Sequence, residues 1–166
     1  MHRSPEKASD ALALVKKLLE AGQPLEAAEI VNKHGSNAPE LRNAYGVALL
    51  RSGQTAKALE VYRGLCLHES GLCLKPGLTP ALKANYATAL LLAKNVGGSI
   101  AVLREIDSPQ HPYVQKLRAA IYRWRRSLGW WQRLAFDWYG AEPDQPVTLD
   151  FPPGELLDEA ELRPAA

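Results

Sequence analysis

From about Ala8 to Ile106 the apolar residues recur at spacings of three and four, the helical period. Leu12, Leu14, Val15, Leu18 and Leu19 form one stripe, and Leu25, Ala27, Ala28, Ile30 and Val31 form the next. No β-branched alternation occurs before Val147. Proline follows a polar residue at Ser4-Pro5, Thr79-Pro80 and His111-Pro112, where a first helical turn tolerates it because its N–H groups have no partner. Asn37 and Glu40 fit a capping box, and Gly22, Gly53 and the Gly97-Gly98 pair predict turns between helices. The pattern predicts an all-α chain.

One frame recurs three times: bulky, small, two residues, bulky, turn, small, three residues, bulky. Gly46 and Ala58 are twelve apart, as are Ala87 and Ser99, and Val15 and Ala27. Two antiparallel helices approach closely only where small side chains face each other and large ones fill the gaps. The frame restarts after 31 and then 41 residues. The second unit is the fullest: Tyr45-Gly46, Leu49, Gly53, Ala58, Tyr62.

This pattern resembles the tetratricopeptide repeat family over about residues 8–107. It departs from the family at Ala11, Arg42 and Lys83, where the pattern expects tryptophan, and in a seven-residue excess between units two and three. The resemblance implies antiparallel helix hairpins in a right-handed superhelix: three units, then a C-terminal capping helix pair. Residues 1–7 are then an N-terminal extension, 8–139 the repeat domain and 140–166 a tail. It also implies a non-catalytic scaffold that binds a peptide or protein segment in the groove of its first helices. Groove positions carried over are Lys16, Asn43, Val47, Leu50, Arg51, Thr88 and Leu91. The family's carboxylate clamp falls on Leu12, Lys16, Ala44, Ala81 and Asn85, so chaperone-tail binding is not expected. An equally open reading has these residues simply packing between helices.

Composition changes the picture only when the chain is sectioned. Twenty Lys and Arg against eighteen Asp and Glu leave a net charge of +2 in 166 residues, which excludes an overall basic or acidic protein. Residues 113–139, however, hold eight of the twelve aromatics, with six basic residues and one acid, a local +5. Residues 140–166 hold seven acids and Arg163, a local −6. The first segment reads as a helix to about Ser127, then a short second one from Trp130 to Tyr139. The expected role is a cap whose tryptophans close the core. The alternatives are a peripheral membrane element or a nucleic-acid-binding one.

The tail has four prolines between Pro143 and Pro153, which forbid a helix, yet Val147, Leu149 and Phe151 supply alternating anchors. It is expected to lie in a groove of this chain or a neighbouring copy, with its acids facing Arg118, Arg123, Arg125 or Arg126. The tail contact then comprises Arg118, Arg123 and Arg126 with Leu149 and Phe151. The alternative is a free tail carrying a linear motif.

Cys66, His68 and Cys73 are three candidate zinc ligands, whereas a structural site takes four, so no metal is assigned. No nucleophile, base or cofactor constellation can be assembled; neither an enzyme, a cofactor nor a small-molecule substrate is expected. With no apolar run of membrane-spanning length and a polar start, the expected location is cytoplasmic.

Overall fold

The computed structural model describes residues 5–34, 38–71 and 73–157. Among them are eight helices: α1 (Pro5–Glu20), α2 (Pro24–His34), α3 (Pro39–Arg51), α4 (Thr55–Cys66), α5 (Pro80–Leu92), α6 (Val96–Arg104), α7 (Pro112–Ser127) and α8 (Trp130–Tyr139). All four odd-numbered helices open on proline, because φ is already set and no donor is lost. α1 begins at Pro5, so the expected extension 1–7 is helical from there.

Consecutive helices pack as hairpins, α1 with α2, α3 with α4 and α5 with α6, and the hairpins stack through α2–α3 and α4–α5. The odd helices also touch one another, α1–α3, α3–α5 and α5–α7. Among the described residues the even helices α2, α4 and α6 make no comparable contact with one another, so the array closes towards its odd-helix face.

The twelve-residue frame falls on the contacts inside each hairpin. Val15, Ala27, Ala58, Ala87 and Ser99 are all fully buried. Gly46 is required by close approach: a Cβ there would lie 2.6 Å from the ring of Tyr62. The seven-residue excess forms a small antiparallel loop, with a Leu67–Leu74 bridge and bonds from His68 N to Cys73 O (3.0 Å) and Lys75 N to Cys66 O (2.8 Å).

Three local expectations change. The turn expected at Gly97-Gly98 sits three residues earlier, with Lys94 left-handed at φ 63°. The two glycines lie in the first turn of α6, where a Cβ on Gly98 would collide with the capping Asn95 side chain, 2.5 Å away. Asn37 lies outside the described residues, and α3 is preceded by Ala38 with no side-chain cap. The largest change concerns the cap. α7 does close the array, burying Tyr113, Val114, Leu117, Ala120, Ile121 and Trp124. α8 contributes only half-buried Phe136 to the core and has no fully buried residue, and Trp130, Trp131 and Trp138 are exposed. Val147 and Leu157, from the C-terminal segment, belong to the core instead. No described helix is long and apolar enough to cross a membrane.

Candidate binding groove

The odd-helix face places two asparagines where a helix interior would normally carry apolar residues. Asn43 on α3 and Asn85 on α5 are both fully buried. A buried amide must find partners or forfeit its hydration. Asn85 Nδ2 donates to Asn43 Oδ1 (2.9 Å), which joins the two helices. Tyr62, on α4 beneath them, donates to Asn43 O and Oδ1 (3.3 Å each). The remaining amide capacity points into the groove.

Residues 153–155 lie in that groove and satisfy it. Glu155 N donates to Asn85 Oδ1 (2.8 Å), and Glu155 O accepts from Asn85 Nδ2 (2.7 Å) and Asn43 Nδ2 (3.3 Å). One side-chain amide thus pairs with both polar atoms of one residue's main chain, as a neighbouring β-strand would. Arg51 at the end of α3 donates through Nε to Pro153 O (3.3 Å) and through Nη2 to Gly154 O (3.0 Å), while Nη1 ties back to Leu19 O on α1 (3.4 Å). Desolvation lowers the pKa of this guanidinium from its ordinary value, yet it remains a cation.

A proton chain orders the third side. Thr88 Oγ1 donates to Ala84 O (2.8 Å), so the Tyr113 hydroxyl donates to Thr88 Oγ1 (3.1 Å) and accepts from Gly154 N (2.5 Å). Burial raises the pKa of Tyr113, which keeps this phenol protonated. Gly154 has φ 82°, and a Cβ there would sit 3.1 Å from a methyl of Val47. Only glycine fits both conditions.

The rest of the segment follows α7. Phe151 packs edge-on against Tyr113 (5.5 Å, 82°), and Leu149 and Leu156 are half-buried against the core. Asp150 pairs with Arg123 (2.8 Å). Trp124 Nε1 donates to Gln145 O (2.7 Å), and Gln145 reaches Ser127 (2.8 Å). Glu142 accepts from Gly97 N at the start of α6 (2.8 Å), and Asp144 pairs with Lys94 (2.7 Å). Lys94 holds the Asp144 carboxyl below the usual range, but this pair is exposed and screened.

Of the expected groove residues, Asn43, Val47 and Arg51 meet the segment, and Thr88 acts through Tyr113. Leu50 and Leu91 are core residues, and half-buried Lys16 makes no hydrogen bond to the segment among the described residues. Of the expected tail contacts, Arg123, Leu149 and Phe151 are engaged. Two are corrected. Arg118 donates to Leu103 O (2.9 Å), because it projects from α7 towards α6, and Arg126 lies over the Tyr122 ring (5.8 Å). Arg125 pairs within the C-terminal helices, with Asp137 (2.6 Å). Asp158, Glu159, Glu161 and Arg163 lie outside the described residues.

Sequence reasoning placed Asn85 at a clamp position without assigning it a contact, and missed Tyr113 and the Gly154-Glu155 pair. The available hint was an amide among the small and apolar residues of each of two helices, since a buried amide requires a partner.

A separate cleft of about 900 Å³ lies between the 67–75 loop and α6, lined by residues of mixed charge such as Arg63, Lys75 and Glu105. Cys66 is buried against Leu82 O (3.9 Å), and burial pushes its thiol pKa up to about 12; Cys73 is exposed. Among the described residues no three His, Cys, Asp or Glu side chains gather as a metal site. Because the thiolate is the reactive form, a thiol reagent at mildly alkaline pH is expected to modify Cys73 alone. Cys66 should react only when denaturant is added; mass mapping of the labelled peptides reads this directly. Comparison of the chain with protein-family models, with curated proteins and with solved structures gave no match.

Proposed function

We propose that the protein is a non-catalytic scaffold whose odd-helix groove binds an extended peptide segment, with its own C-terminal segment as the resident occupant. One observation carries this reading. Asn43, Asn85, Arg51 and Tyr113 address the main chain of residues 153–155, not their side chains. Recognition through the main chain suits any extended segment that has glycine at the position over Val47, and side-chain pockets add selectivity, as when a peptide joins a sheet edge. The segment is therefore both a stabilising element and a competitor: a partner must displace it or bind a chain in which it has left. The tetratricopeptide-like frame agrees with such a role, since scaffolds of that family present their first helices to ligands.

A chain ending at residue 140 and a synthetic peptide of residues 141–157 test the proposal. The truncated protein should bind the peptide in titration calorimetry, and the intact protein should not. A peptide carrying Gly154→Ala should bind at least about tenfold more weakly, because its Cβ meets Val47 and φ is unfavourable. A folded truncated protein that ignores the peptide overturns the reading.

A further inference from the structure

Helix α8 is amphipathic in the wrong sense for a cap. Phe136 faces inward, edge-on to Trp124 (5.3 Å, 84°). At 100° per residue, Trp130, Leu134 and Trp138 form one stripe, with Trp131 at its margin. Their exposures are 64%, 39%, 77% and 66%. Trp130 and Trp131 stack on each other (3.7 Å). Three exposed indoles on one ten-residue helix form an apolar surface of the kind that marks a docking site and not scattered exposure.

The charge around the stripe selects the occupant. Arg123 and Arg125 are spent on Asp150 and Asp137. Arg126 and Arg133 have no carboxylate partner among the described residues, and Arg133 Nη2 bonds the carbonyl of Arg126 (3.4 Å), placing both at the α7–α8 corner. A second copy of this chain, meeting the stripe across a two-fold axis, would bring the same arginines together. A surface that is negative and half apolar satisfies both features. Tryptophan prefers the headgroup boundary of a bilayer, and a ten-residue helix of about 15 Å lies in that boundary without crossing it. We propose that α8 seats the protein on anionic lipid membranes, with the Trp130–Leu134–Trp138 stripe in the interface and Arg126 and Arg133 on the headgroups.

Intact protein and phosphatidylcholine vesicles, with and without phosphatidylserine, test this by co-sedimentation and tryptophan emission. The protein should bind the phosphatidylserine vesicles at low salt, with emission shifted to the blue, and release as salt rises. Arg126→Gln should weaken binding by roughly fivefold. Trp130→Ala with Trp131→Ala and Trp138→Ala should abolish it while leaving the circular dichroism and melting temperature unchanged, since all three rings are exposed. Absence of binding at low salt, equal binding to neutral vesicles, or unaltered binding by the triple variant overturns the proposal. So does a dimer of intact protein that dissociates in the triple variant without any vesicle binding.

Discussion

Replacing Asn85 with alanine is expected to destabilise the intact chain by about 3 kcal/mol and to release its C-terminal segment. The change removes three hydrogen bonds, to Glu155 N, Glu155 O and Asn43 Oδ1, each contributing about 0.5–1.5 kcal/mol. It also takes away the Asn85 acceptor of the Glu155 N–H. The loss has a ceiling, because a segment that no longer pairs can leave and be solvated. For a chain of this length the melting temperature should fall by about 6–12 °C. The diagnostic measurement is a double-mutant cycle with the chain ending at residue 140. There Asn85 keeps only its bond to Asn43, and the same substitution should cost about 1 kcal/mol. Hydrogen exchange gives an independent readout: the Gly154 and Glu155 amides should be protected in the intact protein and exchange freely in the Asn85→Ala variant. Equal destabilisation in the intact and truncated chains would show that Asn85 serves the helix array and not the segment.

Tyr62→Ala is expected to cost about 3–5 kcal/mol, in line with deletion of any large buried ring. Tyr62 is fully buried, and its ring lies directly on Gly46, which has no side chain to fill the void from that side. Its hydroxyl supports Asn43, and burial pushes its pKa well above the ordinary tyrosine value. The loss should be the same in intact and truncated chains, the opposite of the Asn85 result, because the ring belongs to the α3–α4 hairpin. Tyr62→Phe separates ring from hydroxyl: it should cost about 1 kcal/mol, since Asn43 Oδ1 retains its bond from Asn85. Urea denaturation of the five proteins (intact and truncated chains, Tyr62→Ala in each, and Tyr62→Phe) measures all of this. A Tyr62→Phe loss as large as that of Tyr62→Ala would mean that the hydroxyl network, not the packing, holds the hairpin.

These two residues mark the division between what was legible in the chain and what was not. Tyr62 and Gly46 stand out in the sequence because the contact between them is set by local spacing: two helices joined by a short turn have few ways to meet. Asn85 does not stand out in that way. Its partner is seventy residues further along, and no periodicity connects a helix to an irregular segment. The tetratricopeptide-like frame placed Asn85 at a clamp position on α5, but with Ala44 and Ala81 at two of the others it offered no ligand for it. Leu50 and Leu91 were read as lining it but lie in the core.

The tryptophans show the same limit from the other side. A cluster of indoles after a helical array suggests a cap, and Trp124 behaves as one. Whether Trp130, Trp131 and Trp138 also close the core depends on which other segments supply core residues. Val147 and Leu157 reach the core from the tail, and α8 is left with an apolar stripe facing outward.

The sequence by itself determined the helices, their proline starts, their pairing through small residues and the separation of a +5 segment from a −6 one. Helical period and turn chemistry are short-range, so they are written locally. The tertiary structure alone decided that residues 153–155 occupy the odd-helix groove while 142–151 run along α7 and the α5–α6 turn, and that Arg123 takes Asp150 and Lys94 takes Asp144. It alone decided which aromatic face is left to solvent. Those outcomes rest on buried main-chain groups finding donors and acceptors on distant helices, and on apolar groups from different segments competing for one core surface. Both are properties of the assembled chain.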